Sequence, residues 1–138
     1  MEGIRRWFAW LVIIGPLHMA EQLLMGINEL YEIKRFMAAY HSWFRDPDYG
    51  TVVLATIGGT LILLLAYGLL LGGRWRLLAV GFFGVLAVTE MHHIVKTLIH
   101  GAYWPGTATA IPFVAVGVLL LRGVVREFRN TASPGAHA

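Results

Sequence analysis

The sequence predicts an all-α integral membrane protein, a four-helix up-down bundle, and three observations predict it. Hydrophobic residues make up 57% of the 138 positions and charged residues only 14%, a balance suited to a bilayer rather than to water. The stretch 51–73 carries no charge over 23 residues, enough to cross a hydrocarbon core of about 30 Å. Arginines punctuate the apolar segments. Arg5, Arg6, Arg74, Arg76, Arg122, Arg126 and Arg129 fall at one end of a four-span arrangement, and Lys34, Arg35 and Arg45 fall at the other. The positive-inside rule then puts both termini in the cytoplasm.

The elements follow in order. The first helix is expected over 4–34, kinked at Pro16 and continuing past Leu24 as an amphipathic extension. It lacks a small-residue cleavage site, so it reads as a retained helix and not a signal peptide. The stretch 40–50 combines His41, Trp43, Pro47 and two aspartates and reads as a surface loop. Helices over 51–73, 75–100 and 107–127 complete the set, the last two separated by the turn Tyr103-Trp104-Pro105-Gly106. Residues 1–129 form one domain, with no room for a second, and 130–138 a flexible tail that includes His137. The glycine pairs Gly58-Gly59 and Gly81, Gly84 are expected at close helix contacts.

Composition also restricts chemistry. With no cysteine, thiolate metal sites, disulfides and thiol nucleophiles are excluded. The net charge of +3 is accounted for by topology, and no basic stripe with stacking aromatics suggests nucleic acid. His, Glu and Asp remain. At about 100° per residue, His18, Glu21, Gln22, Met25, Glu29 and Glu32 share one helical stripe. Glu90, His93, Thr97 and His100 share another, with His92 and Lys96 on its flank. His18 and Glu21 lie 12 and 15 residues past Arg6, while Glu90 and His93 lie 14 and 17 past Arg76. At about 1.5 Å per residue the four are level, some 18 to 26 Å from the arginine end. Glu29, Glu32 and His100 form an outer tier at about 35 to 39 Å.

Ionisable groups inside a bilayer cost at least about 2.5 kcal/mol each at a helix centre, so a converging set needs partners and marks function. His18, Glu21, Glu90, His93 and His100 are candidate ligands for zinc or iron, with room for two ions, because HxxE and ExxH set nitrogen and oxygen donors one turn apart. Glu21, Glu90, Glu29 and Glu32 are candidate acid–base groups. Metal-free proton transfer is the alternative. A hydrogen-bonded network that only specifies packing is a third reading, and haem between His18 and His93 would leave the glutamates without a role. The expected partner is a lipophilic small molecule or lipid; a homo-oligomer is compatible with the sequence.

His18-Met19-Ala20-Glu21-Gln22, Asn28-Glu29, Glu90-Met91-His92-His93 and Tyr103-Trp104-Pro105-Gly106-Thr107 together resemble the HXXEE family of small bacterial membrane proteins. The resemblance spans about 18–112 and departs at the family's own motif, where Gln22 stands in place of the second Glu. It implies a bacterial inner-membrane location and a shared site, without an established reaction. A looser similarity to the sterol-isomerase type of four-helix membrane fold is analogy to an acid–base enzyme. The sequence reading is therefore a membrane-embedded metal-dependent enzyme acting on a lipophilic small molecule. The alternatives are an isomerase-like enzyme without metal, or a non-enzymatic haem-, quinone- or lipid-binding subunit.

Overall fold

A computed structural model describes residues 1–132, with side chains for all of these except Asn28 and Ala132. Six α-helices run in the order α1 (Glu2–Leu24), α2 (Tyr31–His41), α3 (Pro47–Leu71), α4 (Gly73–Thr89), α5 (Met91–His100) and α6 (Thr107–Ala132), with a 3₁₀ turn at Ile27–Glu29. Among the described residues there is no strand. Four segments are long and apolar enough to cross a membrane: Glu2–Leu24, Pro47–Leu71, Gly73–His100 and Thr107–Thr131, with mean hydropathies of 1.3, 2.2, 1.6 and 2.1. The chain thus has the fold of a multi-pass, all-helical membrane protein.

Three of these spans build the core. Ile4 and Leu11 of α1, Leu77, Val80 and Ala87 of α4, and Val116, Leu120 and Val124 of α6 form one buried cluster, edged by Phe8, Phe83 and Phe113. Glycine lets α4 and α6 approach closely. A methyl group on Gly117 would sit 2.8 Å from Ala87 Cβ and 3.1 Å from the Gly84 carbonyl, the small-residue contact that substitutes for hydrophobic driving force in lipid. The expected role of Gly84 is met there. Gly58 and Gly59 are different: a methyl group on either would meet nothing within 4 Å, because α3 packs on α2 at its start and on α4 at its C-terminal end, where Gly68 meets Ala79. The fourth span flanks a three-helix core.

The N-terminus and the C-terminal turns of α6 share one end of the bundle with the α3–α4 turn. The N-terminal amine lies 3.7 Å from Glu127, and Arg74 donates to the Thr131 carbonyl at 3.4 Å. The opposite end departs from the sequence reading. The first helix stops at Leu24 instead of running to 34, because Gly26 adopts a left-handed conformation (φ 72°) that terminates a helix at little steric cost. The expected loop over 40–50 is confined to 42–46, with helix on either side. Asp46 caps α3 by accepting from the Asp48 N–H at 2.9 Å, and Pro47 takes the first helical position, where its missing N–H costs nothing. The third span is broken at Glu90 into α4 and α5. Helix α6 continues to Ala132, so the tail expected from 130 starts within it. The remainder of that tail, with His137, lies outside the described residues.

Helix α2 has no buried residue and is tied to the bundle by charge. Lys96 of α5 donates to both Glu32 carboxylate oxygens at 2.6 Å, and this hydrogen-bonded ammonium holds the Glu32 carboxyl below its usual range. A depressed carboxyl pKa contributes stability above the unfolded pKa and loses it as pH falls through the folded value. Protection of α2 amides from exchange, relative to the intrinsic rate at each pH, is therefore expected to be constant at neutral pH and to fall below about pH 4. Lys96→Gln should abolish that step with only a small change in global stability.

Candidate metal centre

Three side chains from separate helical segments meet between the core and the end of the bundle opposite the termini. His18 of α1 and His93 of α5 are buried, and Glu90 sits at the α4–α5 break. Glu90 Oε2 lies 3.2 Å from His18 Nε2 and 3.1 Å from His93 Nε2. One donor atom from each residue falls within 4.8 Å of the others. The depth expected from counting helical rise is thus met by side chains in contact. The side chains of His18 and His93 are 3% and 1% exposed, whereas that of Glu90 is 26% exposed. Access runs past the carboxylate.

The hydrogen bonds fix the imidazole tautomers. Gln22 Nε2 lies 2.8 Å from His18 Nε2 and 2.9 Å from His93 Nε2, so the two amide hydrogens meet two ring lone pairs. His18 then carries its proton on Nδ1, which donates to Thr109 Oγ1 at 2.8 Å. The Thr109 hydroxyl donates to a Glu21 oxygen in turn. Glu90 Oε2 lies against both Nε2 atoms. A proton or a metal ion shared among the three atoms would offset the repulsion between their electron pairs.

The spacing suits a metal. Bonds of about 2.0 to 2.1 Å to a tetrahedral ion set its ligands roughly 3.4 Å apart. The contacts among His18, His93, Glu90 and Gln22 run from 2.8 to 3.2 Å. A few tenths of an ångström of expansion brings the Glu90 carboxylate and each ring nitrogen to that separation, and the Gln22 amide, turned to present its oxygen, would supply a fourth donor.

Gly106 makes room for this arrangement. A Cβ there would lie 2.9 Å from Gln22 Cγ, 3.0 Å from His18 Cε1 and 3.1 Å from His93 Cε1, and the residue has φ of 92°. The segment that carries it is pinned across the site. Thr97 accepts from the Trp104 N–H at 3.0 Å, and Thr107 Oγ1 donates to the His93 carbonyl at 3.2 Å. His92 stacks behind His93 with centroids 4.0 Å apart and lies 3.0 Å from the Thr89 carbonyl through Nδ1. It flanks the cluster, with Nδ1 3.8 Å from Glu90 Oε2. His93 Nδ1 is buried without a hydrogen bond of good geometry.

Other expected members are elsewhere. Glu21, placed among the ligands by the stripe, turns to the start of α6. It accepts from the Ala108 and Thr109 N–H groups at 3.1 and 2.8 Å and from the Tyr103 hydroxyl. The open N–H groups and positive end of the helix dipole give its charge better partners than the cluster does. Burial, then the bond to Glu21, pushes the Tyr103 phenol above its ordinary pKa, so it remains a donor at neutral pH. Glu29 and Glu32 follow the chain out of the stripe at Gly26, and they pair with Lys34 and Lys96 at 2.6 Å. His100 is exposed and stacks on Trp104, with ring centroids 5.2 Å apart. Among the described residues no second set of three ligand groups converges. Glu29, Glu32 and His100 are thus held by separate partners.

Thr109, Tyr103 and Gly106 enter as site residues to which sequence reasoning gave no role, although Tyr103 and Gly106 stand in the turn it marked, and Gln22 enters from the first stripe. No protein-family model, curated protein or solved structure matches the chain.

Thr109 is testable by itself. Thr109→Val keeps its volume but removes the link from His18 Nδ1 to Glu21. Loss of such an orienting partner typically costs 10- to 100-fold in metal affinity. A titration of the purified protein with zinc is expected to show a weakening of about that size.

Proposed function

We propose that this protein is a membrane-embedded, metal-dependent enzyme that acts on a lipophilic small molecule, with one zinc or iron ion held by His18, His93 and Glu90. The observation that carries the proposal is the convergence of Glu90 Oε2 on the Nε2 atoms of two buried histidines. A set of two histidines and one carboxylate with a further position open to substrate or water is a common catalytic arrangement for both metals. Such an ion supplies Lewis-acid polarisation of a substrate oxygen, or activation of water or oxygen.

The chain's own residues orient and enclose. Gln22 closes one side, Gly106 admits the two rings, and the Thr109–Glu21 pair sets the His18 tautomer. Beside the centre, Thr89, Met91 and His92 border an apolar groove of about 480 Å³ on the surface of the α4–α5 segment and α6. A substrate dissolved in the bilayer would approach along it. The resemblance to the HXXEE family rests on the motifs and adds no reaction.

A second reading has its own support. His18 Nδ1, Thr109, Glu21 and Tyr103 form an unbroken hydrogen-bonded chain from the buried cluster to an exposed phenol. That is the layout of a proton path, and it suits metal-free acid–base chemistry. Elemental analysis of protein purified in mild detergent separates the two. The metal reading expects close to one zinc or iron per chain, and substoichiometric metal after reconstitution with either ion would overturn it. We place the protein in a bacterial inner membrane with both termini cytoplasmic, on the arginine distribution. Cysteine labelling at both ends tests that placement.

A further inference from the structure

Away from the His/Glu cluster, the seam between α4 and α6 carries a groove of about 490 Å³ bordered by Val88, Val118, Leu121 and Val125 and ending at Arg122, Arg126, Arg129 and Asn130. Val88 and Leu121 also border the apolar groove that reaches Val95 and His92. The two are one furrow. It extends about 12 Å along α6 from Leu121 to Arg129, and about 10 Å along α4 and α5 from Val88 to Val95. Its walls are apolar except at one end, where three guanidinium groups occupy positions i, i+4 and i+7 on one helical face.

Those arginines are uncompensated by protein. Among the described residues none of the three makes an ion pair, and the neighbouring carboxylate of Glu127 is engaged by the N-terminal amine. Arg122 is the innermost of the three, seven residues before Arg129 at the arginine end of the last span. A planar guanidinium matches phosphate oxygens in a bidentate fork. The chemistry calls for a ligand with a long hydrocarbon chain and an anionic head.

We infer that this furrow binds an anionic phospholipid, with its phosphate on Arg122, Arg126 and Arg129 and one acyl chain along Val88 and Leu121 toward His92. The site is independent of any metal. Delipidated protein in mild detergent, examined by native mass spectrometry with phosphatidylglycerol and phosphatidylcholine of identical chains, tests it. The wild type is expected to prefer phosphatidylglycerol by at least about tenfold, given the usual worth of basic residues at an anionic surface. The triple variant R122Q/R126Q/R129Q should bind both lipids equally, and Leu121→Trp should weaken both by filling the furrow. Should the triple variant fail to fold, Arg126→Gln alone should lower the preference about threefold. Equal binding of the two lipids by the wild type would overturn the proposal. So would an unchanged preference in the arginine variants, or unchanged phosphatidylglycerol binding by Leu121→Trp, which would mark a bare anion patch.

Discussion

His93→Ala is expected to reduce metal binding from about one ion per chain to background, with an affinity loss well beyond 100-fold. The lower bound comes from comparison: removing a group that only orients a ligand already costs 10- to 100-fold, and His93 Nε2 is itself one of the converging donors. His93 is also buried, so the alanine variant leaves a cavity and loses stability. Glu90→Gln resolves that ambiguity because it is nearly isosteric and its parent side chain is partly exposed. It should fold like the wild type, shown by an unchanged helical circular dichroism spectrum, and still lose at least tenfold in affinity through the missing charge. Metal content by mass spectrometry and zinc titration read both. A Glu90→Gln variant that binds metal as tightly as the wild type would remove Glu90 from the centre and leave the metal proposal without its carboxylate.

The meeting of His18, Glu90 and His93 was legible in the sequence because depth in a membrane span is linear in residue number. Two stripes counted from arginine anchors must coincide if the helices are near-parallel. The four spans were legible for the same reason. What escaped the count is decided where helices end. Gly26 redirects the chain and carries Glu29 and Glu32 away from the first stripe. Glu21 is on the correct face and at the correct depth, yet the N-terminus of α6 competes for it. Helical periodicity assigns a residue to a face but does not say which neighbour offers unsatisfied N–H groups. Gln22 is the most instructive position. It is where the chain departs from the HXXEE pattern, and in the structure its amide bridges both histidines. A carboxylate there would add a second negative charge beside Glu90, so the neutral amide keeps the charge near the two rings low.

Gly106→Ala should have the second large effect, and its size can be assembled from two independent terms. A residue with a side chain at φ of 92° is strained by about 1 to 3 kcal/mol. Overpacking costs about 1 to 3 kcal/mol more, because the new methyl would come within 2.9 to 3.1 Å of Gln22, His18 and His93 together. None of these can retreat freely: His18 and His93 are held by Glu90, and Gln22 is held by both rings. Gly101→Ala separates the terms, since Gly101 also has positive φ (62°) but open space around it. Both variants should lower the melting temperature, and Gly106→Ala should lower it further. Only Gly106→Ala should also lose metal affinity. If the two variants melt alike and both bind metal like the wild type, the segment over the cluster is pliable and the rings are not held by it. The cluster would then lack the rigid closure that a preorganised centre requires.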